Sequence, residues 1–62
     1  MLKDSFIRTY ANLPADIRNE IIVIIDKEPY TWNSAYLEVS NDTPLGKNIL
    51  TKMKKMGFLK NE

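Results

Sequence analysis

The chain of 62 residues contains no cysteine and no histidine. Without cysteine there is neither a disulfide framework nor a thiolate zinc site. Without histidine the commonest general base and metal ligand are missing, and no Ser/His or Cys/His nucleophilic pair can be assembled. Long apolar runs are also missing. The longest, Ile21 to Ile25, is far short of the roughly 20 residues that cross a bilayer as a helix. The opening Met-Leu-Lys-Asp-Ser carries an early acid and no apolar h-region, so no signal peptide is expected and a soluble, cytoplasmic protein is. No repeat or low-complexity segment is visible. A chain this short makes one domain, 1–62, with a thin core that needs dense helix packing or a partner subunit.

One further absence is local. No acid lies between Thr43 and Asn61. The formal net charge of +1 therefore hides two unlike segments. Residues 1–42 hold four bases (Lys3, Arg8, Arg18, Lys27) against seven acids (Asp4, Asp16, Glu20, Asp26, Glu28, Glu38, Asp42), a net of −3. Residues 43–62 hold five lysines (Lys47, Lys52, Lys54, Lys55, Lys60) against Glu62, a net of +4. A basic segment joined to an acidic body is a hint of a polyanion-binding face. The hydrophobic content of 44% is ample for folding.

What is present reads as mostly α-helix, in about four short helices near 2–12, 14–27, 31–39 and 43–56. Leu2, Phe6, Ile7 and Tyr10 share one helical face. Asn12 and Pro14 suit the N-cap and first turn of a second helix, with Asp16 and Glu20 placed as the helix dipole prefers. Ile17, Ile21, Ile24 and Ile25 would line its apolar face. The run Ile21–Ile25 is β-branched throughout, so its alternative is a buried strand pairing with Ala35–Val39. Thr31 can cap a third helix with Trp32, Ala35, Tyr36 and Val39 in one stripe. Ser40 to Pro44 is a turn signal in which Asn41 could adopt the left-handed conformation. Thr43-Pro44 then reads as N-cap and N1 of the last helix. That helix buries Leu45, Ile49, Leu50, Met53 and Met56, with Gly46 allowing a neighbouring helix to approach closely, and ends at Gly57 as a C′ residue. Phe58–Lys60 is at most a short strand.

The segment Lys47-Asn48-Ile49-Leu50-Thr51-Lys52-Met53-Lys54-Lys55-Met56-Gly57-Phe58-Leu59, preceded by a short helix and a tight turn, resembles the helix-turn-helix core of winged-helix DNA-binding proteins. The resemblance covers roughly residues 16–59. It implies a core at 14–59 with 43–56 as the recognition helix, Leu50 and Met53 at core positions and Phe58-Leu59 starting a strand. The chain departs from the family in having three residues after Leu59, too few for a wing. It also departs in the turn Ser-Asn-Asp-Thr, which lacks the small-then-apolar pattern.

On the exposed side of the last helix Lys47, Thr51 and Lys55 fall on one line, flanked by Asn48 and Lys54. The plain reading is a solvated helix face. The sharper one is double-stranded DNA: Lys47, Lys54 and Lys55 on phosphates, Lys52 and Lys60 peripheral, Asn48 and Thr51 toward base edges. It is favoured because no acid stands at i,i+4 to neutralise these lysines. The expected function is thus a small DNA-binding transcription regulator, nucleoid-associated when bound. The alternative is a protein-interaction module, an adaptor or antirepressor, using the basic helix or the acidic body. The N-terminal helix either completes the core or forms a homodimer interface. Trp32 and Tyr36 are expected in the core; base stacking is the lesser reading of the aromatics, with Tyr30 its exposed candidate. No catalytic residue, metal ligand, cofactor site or small-molecule site is discernible, and an enzyme is not expected.

Overall fold

Five consecutive β-branched side chains decide the first half of the fold. In the computed structural model, which describes residues 2–59, Ile21–Ile25 is a strand. Helix α1 (Leu2–Ala11) comes first, then a single 3-10 turn (Ile17–Asn19), strands β1 (Ile21–Ile25) and β2 (Glu28–Thr31), and helices α2 (Trp32–Ser40) and α3 (Pro44–Lys55). The expected helix over 14–27 does not form, and a bundle of four helices is therefore replaced by three helices and an antiparallel hairpin. The partner of β1 is β2, which follows it directly, and not Ala35–Val39. Phe58 and Leu59 lie in a bend rather than a strand, and Lys60 lies outside the described residues. No helix among the described residues is long and apolar enough to cross a membrane.

The hairpin is possible because Asp26 and Lys27 both take positive φ, 51° and 70°. That pair of signs marks the tight two-residue turn whose twist matches two antiparallel strands. The usual sequences for it end in glycine, and Lys27 does not advertise it. Between Ile21 and Val23 the register slips: Ile21 faces Thr31 and Val23 faces Tyr30, leaving Ile22 as the extra residue of a bulge. A bulge re-aims side chains. Val23 is fully buried and its neighbour Ile22 half-buried, while Ile21 and Ile24 stay 60% and 54% exposed. Of the apolar face expected from Ile17, Ile21, Ile24 and Ile25, only Ile25 packs against the core.

Asn12 and Arg18, expected in or before the second helix, instead finish α1. The Asn12 side chain donates to the Arg8 carbonyl (3.0 Å), and Arg18 donates to the carbonyls of Tyr10 (3.2 Å) and Ala11 (3.3 Å). These are carbonyls that a helix end leaves without intrahelical partners. The Arg18 guanidinium also lies 4.3 Å from the Tyr10 ring centroid, and that ring stacks on Tyr36 at 4.4 Å. The Tyr10 hydroxyl donates to Asn33 (2.7 Å), which in turn donates to Asn19 (2.8 Å). The 3-10 turn is thus tied to both α1 and α2.

The three helices and β1 enclose a core of Phe6, Val23, Trp32, Ala35, Val39, Ile49, Met53 and Leu59. Leu2, Ile7 and Tyr10 pack against it, so α1 contributes its apolar face to its own domain. Tyr30, expected as the exposed candidate for stacking, is half-buried against the same core. Helix α2 begins with a reciprocal cap: the Ser34 N–H donates to the Thr31 hydroxyl (3.1 Å) and the Thr31 N–H to the Ser34 hydroxyl (2.8 Å). It ends at Asn41, whose side chain donates to the Leu37 carbonyl (2.8 Å). Asp42, rather than Asn41, takes the left-handed conformation, at φ 55°.

Two substitutions test this architecture. Lys27→Gly relieves a left-handed lysine and should raise stability by about 0.5–1 kcal/mol, net of glycine's greater freedom in the unfolded chain. It would be read as a higher urea midpoint. If 14–27 were helical, glycine there would lower it instead. Gly46→Ala places a methyl group against the backbone of α2, where it would collide with the Glu38 carbonyl oxygen and lie 3.0 Å from Val39 Cα. A loss of about 3 kcal/mol is expected, since backbone cannot step aside as a side chain does; an unchanged midpoint would contradict the packing.

Candidate functional site

The sequence singled out the outward side of α3, and the structure places that helix by both ends. Thr43 caps its start, accepting from the Gly46 N–H (2.9 Å) while its own hydroxyl donates to the Glu38 carboxylate (2.8 Å). Pro44 follows at the first helical position, where a missing N–H is harmless. At the far end Gly57, with φ 85°, lets the Phe58 N–H donate to the Met53 carbonyl (2.9 Å) and its own N–H to the Lys54 carbonyl (3.1 Å). This is the Schellman closure, and it returns Leu59 to the core at 4% exposure. The helix is then held rotationally by Gly46, Ile49 and Met53, all buried.

With that face turned inward, Lys47, Asn48, Thr51, Lys52, Lys54 and Lys55 are all exposed. They do not play equal parts. Lys47, Lys54, Lys55 and Asn48 have no side-chain hydrogen bond or ion pair among the described residues. Lys52 is committed: its Nζ donates to the Ile24 carbonyl of β1 at 2.6 Å. The Thr51 hydroxyl donates to the Lys47 carbonyl at 3.0 Å, so toward a ligand it has only acceptor capacity left. Lys60 lies outside the described residues.

Helix electrostatics explain part of this pattern. Lys52, Lys54 and Lys55 lie in the last turn, where the helix dipole favours cations. Lys47 stands near the opposite end, where the dipole disfavours one. Its cost is small, but it has no structural return within the domain. By contrast Lys3 forms an exposed ion pair with Asp42 (2.9 Å), linking α1 to the turn before α3.

The arrangement also contains a feature the sequence did not show. Ile25 of β1 and Asn48, Thr51, Lys52, Lys55 and Met56 line a groove of about 350 Å³. Met56, expected on the buried face of α3, is 51% exposed at its edge. The groove exists only because β1 lies beside the C-terminal half of α3. The β-branched run was the one signal that could have revealed its Ile25 wall. Among the described residues no three acids converge closely enough to hold a metal ion.

Loss of the α3 cap is directly measurable. Thr43→Ala removes the acceptor for Gly46 and the donor to Glu38, and should cost about 1 kcal/mol. Thr43→Ser retains both bonds and should restore most of it. Equal urea midpoints for the alanine and serine variants would show that the cap contributes nothing. No protein-family model, curated protein or solved structure matches this chain.

Proposed function

We propose that this protein binds duplex DNA as a small transcription regulator, laying α3 in the major groove. The observation that carries this is the exposed side of α3, on which Lys47, Lys54 and Lys55 have no partner among the described residues while Asn48 and Thr51 lie among them. Partnerless cations on a rigid helix are suited to phosphate oxygens, and short polar side chains between them to base edges. The resemblance to helix-turn-helix proteins now rests on α2, the three intervening residues Asn41–Thr43 and α3, with a hairpin before them rather than a helix. Lys52, peripheral in this reading, donates one ammonium N–H to the Ile24 carbonyl.

A second use of the same face, as a docking site for an acidic partner protein, draws on the half-buried Ile25 and the exposed Met56 beside it. The two uses separate in a chemical-shift titration. Duplex binding shifts residues 44–57 on adding DNA; a protein-docking module shows no change.

The number of free lysines sets the salt dependence. Three phosphate contacts imply a log–log slope of binding constant against salt of about −3. The Lys54→Ala/Lys55→Ala double variant should flatten it to about −1, with Lys52→Ala leaving it unchanged. Absence of duplex binding at low salt, or normal binding by the double variant, overturns the assignment.

A further inference from the structure

The groove between β1 and α3 bears on which base pairs the helix would prefer. This rests on the duplex-binding function proposed above and extends it to sequence. Each lining residue offers a different chemistry. Asn48 is exposed, and neither its amide donor nor its acceptor has a partner among the described residues. A carboxamide of that kind matches adenine, which shows N6–H and N7 side by side in the major groove. Thr51, its hydroxyl hydrogen committed to Lys47, presents a methyl group and a lone acceptor oxygen. Ile25 and Met56 add apolar walls. Lys52 adds its aliphatic stem, since its ammonium is held at the Ile24 carbonyl. The ammonium of Lys55, the other lysine of the lining, has no partner among the described residues, and the phosphate role already claims it.

We infer that this groove selects adenine·thymine pairs, with Asn48 on adenine and the thymine C5-methyl seated against Thr51, Ile25 and Met56. Thymine is the one base of unmodified DNA with a methyl group in the major groove. A guanine·cytosine pair has no methyl group to seat against Ile25 and Met56 and offers Asn48 no adjacent N6–H and N7.

The test is fluorescence anisotropy of the full chain at low salt against three alternating duplexes: adenine–thymine, adenine–uracil and guanine–cytosine. The first two differ by the methyl group alone. Loss of one seated methyl should weaken binding about fourfold, and the guanine–cytosine duplex should bind about tenfold more weakly or worse. Thr51→Ser keeps the bond to Lys47 and lacks the methyl group; it should narrow the thymine/uracil ratio toward unity. Asn48→Ala should narrow the ratio of adenine–thymine to guanine–cytosine. Equal affinity for the thymine and uracil duplexes overturns the inference whatever the third duplex does, and leaves duplex binding standing. A thymine/uracil ratio that Thr51→Ser leaves unchanged also overturns it. Failure to bind any of the three removes the duplex function itself, and this inference with it.

Discussion

The contact on which the rest of the molecule depends is the approach of α3 to the backbone of α2 at Gly46. A side chain at that point would meet the Glu38 carbonyl. Its absence lets the two helices touch backbone to backbone, and Ile49 and Met53 then lie at 0% exposure over Phe6 and Val39. Leu45 and Leu50 of the same helix pack against the core beside them. The direction in which the lysines face follows from this packing, because turning Ile49 and Met53 inward turns Lys47, Thr51 and Lys55 outward.

The hairpin is the second determinant, and it acts through its edge. A strand edge left bare is an invitation to pair with another chain. Here the two edges are treated differently. On β2, Pro29 brings no N–H. On β1, the Ile24 carbonyl is occupied by the Lys52 ammonium. The same lysine that covers the edge also bridges β1 to α3, so covering the edge and forming the groove are one event. It follows that Lys52, peripheral in the sequence reading, has a structural part to play.

The helices α2 and α3 were legible in the sequence to within a residue, because their signals are local: Thr31 and Thr43 as caps, Pro44 at N1, Gly57 at C′, and an apolar period unbroken by proline. The stretch from Asn12 to Tyr30 was not. Its apolar residues also satisfy a helical period, and Asp26-Lys27 lacks the glycine that announces a tight hairpin. Two local codes competed over Ile21–Ile25. The strand prevailed because five β-branched residues resist helical packing and a partner strand lay within reach. The C-terminal methionine failed for a different reason: Met56 continues the apolar period, but the helix ends there and the chain turns to bury Leu59 in its place.

The sequence by itself determined the absences, namely the lack of thiolate, imidazole and disulfide chemistry, along with the acid-free lysine segment and the ends of the last two helices. These depend on composition or on interactions spanning a few residues. Only the tertiary structure decided that, among the described residues, Lys52 is engaged while Lys47, Lys54 and Lys55 are not, that Thr51 has committed its donor, and that Ile25 stands across a groove from Asn48. Lys52 and Ile24 are 28 positions apart. A register between β1 and α3 is written in no local pattern; it arises when the hairpin turns, the bulge re-aims Val23, and Gly46 lets α3 settle against the core.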